Sequence, residues 1–272
     1  MSDGHLAGRV GFQLDLSRPN IARVYDYLLG GKDNFDADRA LGDKIKKSTP
    51  GVPLGVEQQR AVLRRAVRHL VGEAGVRQVI DLGSGLPTAG NVHEVAREVA
   101  PGTRVVYVDN DPVVLAHARA LMADDATTVA IGGDLRRPAE VLADPELRRL
   151  IDLDQPVGLL LCGVLHHILD DEDPAGITAA YRAALPSGSY VFIHHLVANG
   201  DPGVAAIQAE LQRGTGRGQF RPIEQIEGFF DGLEMVEPGV VSVTRWRPDA
   251  DTPSIDDNPV FRLAVAGLGR KP

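Results

Sequence analysis

Apolar and polar positions follow two rhythms along this chain, and the change comes near residue 75. Before it, apolar residues recur at helical spacing. Ile21, Val24, Tyr25, Leu28 and Leu29 share one face of a helix predicted over 19–29, which Gly30-Gly31 ends. Asp33 suits the N-cap of a second helix closing at the basic run 44–47, where cations meet the negative helix end. A Pro/Gly loop follows over 48–53. A third helix, over 56–71, is expected to bury Leu63, Val67 and Leu70 and to expose Arg60, Arg64 and Arg68.

Beyond residue 75, short apolar runs alternate with amphipathic ones. Strands are predicted over 77–82, 104–109, 127–131, 157–162, 189–195, 240–245 and 261–266. The helices between them cover 88–99, 112–122, 138–150 with a break at Pro145, 174–184, 203–212 and 223–230. The run 157–162 is apolar throughout, as expected of a strand buried on both faces of a parallel sheet. Such a series implies right-handed crossovers. The expected fold is α/β: a doubly wound, Rossmann-like, mostly parallel sheet of seven strands over 75–272, with a helical cap over 1–74.

Composition narrows the partners. With 272 residues, 43% of them hydrophobic, the chain can build one sizeable core with an appendage. A formal charge of −8 argues against nucleic acid as the main partner, because such proteins usually present a basic face. The single cysteine, Cys162, excludes an internal disulfide and fits a reducing compartment. Residues 1–16 carry Asp3 and Asp15 and no continuous apolar run, unlike a secretory signal. No apolar run is long enough to cross a bilayer. A cytoplasmic protein with no membrane partner is expected; the oligomeric state stays open.

The chemistry concentrates at strand ends. Residues 79–88 read VIDLGSGLPT: an apolar strand, Asp81, then Gly83, Ser84 and Gly85. Glycines there let the chain turn sharply and let a ligand approach the backbone. Thr88 stands where a dinucleotide fingerprint has its third glycine. Asp81 before the glycines suits a cationic ligand group, or it bonds loop amides. Asp109 ends the second strand, about 20 residues further on, where an acid can accept from ribose hydroxyls, or 109–111 simply cap the helix that starts at Pro112. Asp111, after Asn110, suits the cap of the helix that follows. Asp134, followed by Leu135, ends the third strand and can accept from an adenine amine, or act as a turn residue beside Gly132-Gly133.

Three acids at three consecutive strand ends, without a third glycine, resemble a class I S-adenosylmethionine-dependent methyltransferase over residues 78–195. The resemblance implies that the glycine loop flanks the methionine part of S-adenosylmethionine. Asp109 would bind ribose and Asp134 meet adenine. The fourth strand, ending at Cys162-Gly163-Val164-Leu165-His166-His167, would lie beside the sulfonium. Residues 20–35, NIARVYDYLLGGKDNF, with Gly83 to Thr88 and Asn91-Val92-His93, are similar to the signature of an actinobacterial family of S-adenosyl methyltransferases whose substrates are not established. The resemblance implies the cofactor, S-adenosylmethionine, and leaves the reaction open.

His166 and His167 are the candidates for a general base, since imidazole titrates near neutral pH; they could equally bond loop backbone. His194 and His195 end the fifth strand. His195 is taken to line an acceptor pocket, with one of the pair turned away because strand faces alternate. Adjacent histidine pairs are poor ligand spacing, and no metal is expected. Tyr27, Gly30, Gly31, Lys32 and Asn34 suggest a lid over cofactor and acceptor, or a plain helix–turn–helix joint. Arg213 and Arg217, in the flexible stretch 214–219 or beside it, could attract an acidic acceptor or remain surface charge. The leading expectation is methyl transfer to a small-molecule acceptor. A non-catalytic S-adenosylmethionine sensor would carry the same binding motifs. A nicotinamide-dependent oxidoreductase is disfavoured by Thr88 and Asp81.

Overall fold

The computed structural model describes residues 16–87, 90–122 and 125–272. Three helices come first: α1 (Ile21–Leu28), α2 (Asp36–Ser48) and α3 (Val52–Arg68). Asn20 caps α1, its Oδ1 accepting from the Ala22 amide at 2.8 Å. Asp33 does not cap α2. That helix starts three residues later, and Asp38 in its first turn accepts from the Phe35 amide at 2.9 Å. Helix α3 begins four residues before the expected start, because Pro53 sits comfortably in a first turn. It continues into one wider π-type turn, His69–Glu73.

A wound sheet follows: β1 (Gln78–Leu82), α4 (Val92–Val99), β2 (Arg104–Asp109), α5 (Pro112–Leu121), β3 (Thr128–Gly132), α6 (Pro138–Ala143), α7 (Pro145–Leu150), β4 (Gly158–Cys162), α8 (Pro174–Ala184) and β5 (Tyr190–Leu196). The break at Pro145 is real: Asp144 caps α7, accepting from the Glu146 amide at 2.8 Å. Helix α4 starts at Val92; the expected start, Thr88, lies outside the described residues. After β5 come α9 (Pro202–Thr215), α10 (Ile223–Gly228), β6 (Glu234–Met235), β7 (Val241–Ser242) and β8 (Ala264–Arg270).

The sheet runs β3-β2-β1-β4-β5-β8-β6, parallel from β3 to β5 and antiparallel at β8. It has eight strands among the described residues rather than seven. The expected strand at 240–245 shrinks to Val241–Ser242, because the chain then turns to bury Trp246. There the buried Arg65 of α3 donates to the Trp246 carbonyl at 3.0 Å. The last strand begins at Ala264, since Pro259–Arg262 forms a 3-10 turn capped by Asn258.

Both sheet faces are covered. Val79, Tyr107, Leu160 and Phe192 pack under α3 and α4. Ile80, Val106, Leu159 and Ile193 pack on the other side, with Leu147 of α7 and Tyr181 of α8. A third cluster caps the ends of the strands. It joins Val24 and Leu28 of α1, Ile45 of α2 and Val56 of α3 to Ile207 and Leu211 of α9. The helices before the sheet therefore do not form the cap alone.

Candidate active site

Between this cap and the C-terminal strand ends lies a cavity of about 410 Å³, within the range of small-molecule sites. Parallel strands bring their ends to one edge, so residues far apart in sequence meet there. Asp81, Gly83, Ser84 and Gly85 line it from β1 and its loop. Asp109 and Asn110 come from β2, Asp134 and Leu135 from the end of β3, and Gly163, His166 and His167 from the end of β4.

The glycine loop is tied down on its neighbour. The Gly83 amide donates to the Val108 carbonyl at 2.8 Å and the Gly85 amide to Asp109 Oδ2 at 2.9 Å. Gly83 and Gly85 both hold positive φ, 68° and 67°. A Cβ on Gly83 would lie 2.4 Å from Val164, whereas one on Gly85 would meet nothing within 4 Å. At the end of β4, a Cβ on Gly163 would stand 2.2 Å from the amide nitrogen of Gln59, so α3 presses on the strand end only because no side chain intervenes.

The three acids differ in surroundings. Asp81 is buried, and no hydrogen bond joins it to another described residue. Burial pushes its carboxyl up to about 7; Arg60 opposes that rise and Asp109 adds to it. Asp109 also shapes its own turn, Oδ1 accepting from the Asp111 amide at 2.9 Å. Its carboxyl is raised by burial against these amide donors. Asp111 caps α5, accepting from the Val113 amide at 2.7 Å. Asp134 is gripped by Arg136, whose Nη2 stands 2.7 Å from Oδ2 and holds the carboxyl low. Arg136 also pairs with Glu172, which pairs with Arg217, and Arg136 and Arg217 stand on the cavity wall. Arg213 instead pairs with Glu210 one turn away.

Burial disfavours the charged form of the four strand-end histidines, His166, His167, His194 and His195. Burial drives His167 down to about 4 and His194 to about 3, and lowers His166 well below its ordinary range. The Nδ1 atoms of His166 and His167 and both ring nitrogens of His194 are buried without partners. His194, not His195, lines the cavity. In the sheet register His194 lies beside Cys162, and alternation turns His195 to the other face. There its Nε2 lies 3.2 Å from Arg221. The expected acceptor role of His195 is thereby corrected. No group of three or more potential metal ligands occurs among the described residues.

The expected lid is also corrected. Tyr27, Gly30, Gly31, Lys32 and Asn34 do not reach the cavity. Tyr27 bonds Asp43 at 2.6 Å and its ring packs under Lys46. Asn34 donates to Asp26 at 2.8 Å, and Gly31 lies against Asp26 so closely that a Cβ would fall 2.0 Å from it. These residues build the joint between α1 and α2. The cavity is covered instead by the cap residue Asn20, by Tyr25 and Leu28 of α1 and by Gln59 and Arg60 of α3.

A family model described as S-adenosyl methyltransferase matches residues 8–272. The chain belongs to this family. A crystal structure from Thermobifida fusca YX, described provisionally as a methyltransferase, is 49% identical over 94% of this chain and 96% of that one, with a TM-score of 0.90. A DUF574 family protein from Streptomyces avermitilis MA-4680 is 40% identical, covering 95% and 99% of the two chains, with a TM-score of 0.91. Human N-acetylserotonin methyltransferase, solved in complex with S-adenosylmethionine, shares the fold at 15% identity and a TM-score of 0.51, over 94% of this chain and 63% of that one. No curated protein matches the chain.

The S-adenosyl methyltransferase fold and this cavity are consistent with each other. A carboxylate without a partner faces the space beside the glycine loop, and the Cβ that Gly85 lacks would point into open room. Of the wall residues, Tyr25 and Arg60 escaped the sequence reading. Tyr25 belongs to a stripe that looks like core, and Arg60 to an i, i+4, i+8 row that looks solvated.

Proposed function

We propose that the chain binds S-adenosylmethionine against β1, β2 and β4 and transfers its methyl group to a small, largely apolar acceptor seated under α1 and α9. The observation that carries this reading is the gathering of Asp81, Asp109 and Asp134 from three successive strand ends onto one cavity. Asp81 faces the α-ammonium. Asp109 accepts from the ribose hydroxyls with lone pairs that Gly85 and Asp111 leave free. Asp134 accepts from the adenine amine beside Leu135, its geometry fixed by Arg136.

S-adenosylmethionine supplies a methyl group on an already activated leaving group. The protein then has mainly to align the reactants, which can supply about 7–11 kcal/mol of the barrier. The acceptor half has apolar walls, among them Leu28, Ile207, Leu211 and Leu263. Burial and the nearby Asp81 push the Cys162 thiol up to about 12, so it too is an uncharged wall. His166 and His167 are deprotonated and weakly basic. They orient an acceptor hydroxyl by accepting from it, and take its proton late, when the gain of the methyl has made that proton strongly acidic. A purely sensing protein would have no use for this second volume, which favours turnover.

Calorimetric titration of the full chain with S-adenosylmethionine and, separately, with NAD tests the reading. Binding of S-adenosylmethionine with no NAD signal is expected; binding of NAD alone would end it.

A further inference from the structure

Among the described residues, one cation on the cavity wall has no carboxylate partner. Arg60 reaches in from α3, and an arginine carries its charge at any working pH. Among the described residues its buried Nε has no partner, and Nη2 makes only a long 3.4 Å contact with the Gly90 carbonyl. No carboxylate among the described residues stands within ion-pairing distance of it, yet its field reaches Asp81, Tyr25 and Cys162. A small hollow between Arg60, Asp81 and Gly85 opens beside the main cavity. An uncompensated, half-buried guanidinium is costly unless an anion completes it. Asp81 has the complementary deficit: a buried carboxylate with no donor among the described residues.

Arg60 and Asp81 thus face a common space, each unsatisfied and neither in contact with the other. That is the complement of a zwitterion, with the two charges of an α-amino acid held apart. Resting on the reading that S-adenosylmethionine binds here, we propose that Arg60 anchors its α-carboxylate while Asp81 holds the α-ammonium. The cap helix α3 and the strand β1 then grip the two ends of one amino-acid group. The planar fork of Arg60 suits a carboxylate.

The test is calorimetry on the full chain with three probes: S-adenosylmethionine, its decarboxylated form, and methylthioadenosine, which lacks the amino-acid end. Arg60→Gln should weaken S-adenosylmethionine roughly 10- to 100-fold, the range of a charge-assisted bond. It should leave decarboxylated S-adenosylmethionine and methylthioadenosine unchanged, and the latter also reports that the variant is folded. Arg60→Lys, which keeps the charge without the fork, should fall between. An equal loss for the first two probes, or no loss for either, overturns the assignment and points Arg60 toward an anionic acceptor. Failure of the unaltered chain to bind any of the three removes the underlying reading, and this proposal with it.

Discussion

The Nε of Arg23 in α1 stands 2.8 Å from the carboxylate of Asp38 in α2, and neither side chain is more than 4% exposed. Asp38 also accepts from the Asn20 and Phe35 amides, at 2.8 and 2.9 Å. Across the cap boundary, Arg23 Nη1 lies 3.6 Å from Asp111, whose own amide bonds Asp109. A buried ion cluster therefore ties the cap to the corner of the cavity at the end of β2. Removing the cation strands two buried carboxylates, which typically costs about 3–5 kcal/mol. Arg23→Met should lower stability by that order in urea denaturation. A loss below about 1 kcal/mol would mean the cluster behaves as an exposed pair.

The two glycines of the loop should separate stability from binding. Gly83→Ala forces a side chain into Val164, at 2.4 Å, on top of its positive φ. It should destabilise the chain by several kcal/mol, the order of strain plus overpacking. Gly85→Ala meets no neighbour, so it should cost only about 1–2 kcal/mol of left-handed strain. Its methyl projects into the space proposed for the ligand, and affinity for S-adenosylmethionine should fall more than stability does. Melting and calorimetry on both variants check the contrast; a reversed order would place the ligand elsewhere.

The five parallel strands were legible because burial on both faces leaves continuous apolar runs, and the acids at the ends of three of them because each breaks its run at the same edge. The cap was less legible, for a physical reason. Residues lining a cavity and residues filling a core carry the same apolar periodicity, so Tyr25 and Leu28 read as packing. Gly31 and Asn34 looked free because their partner, Asp26, sits in the middle of a helix and breaks no pattern. Arg60, Arg64 and Arg68 are equivalent by spacing; only the seat of α3 over β4, fixed by the Gly163–Gln59 approach, turns the first of them inward. Alternation assigned His194 and His195 to opposite faces, but which one faces the cavity depends on the register with Cys162.

Buried neutral histidines make the fold acid-sensitive. His194 is held at about 3 in the folded chain against an ordinary 6.5. Between those values the unfolded chain binds the extra proton, so this contribution to stability is present above 6.5 and is lost as pH falls toward 3. His166, His167 and His195 act with the same sign. His194→Gln should remove about one proton from the uptake on unfolding near pH 5, read from the pH dependence of urea midpoints. An unchanged slope would show that His194 is protonated or solvated in the folded state.

Asp81 works in the opposite direction. Its folded value of about 7 lies above its ordinary 3.8 because burial disfavours the charge. Between these values the folded chain binds more protons than the unfolded one. The associated stability is therefore full below 3.8, falls as pH rises, and levels off above about 7. A ligand ammonium needs the ionised carboxylate, so binding in this window must expel a proton. Affinity for S-adenosylmethionine should rise between pH 5 and 7, with a limiting slope of about tenfold per unit. Calorimetry in buffers of different ionisation heat reads the expelled proton directly. Asp81→Asn should flatten the slope and weaken binding at pH 7. Should the slope persist in that variant, the proton comes from another group, with Asp109, also raised by burial, next in line.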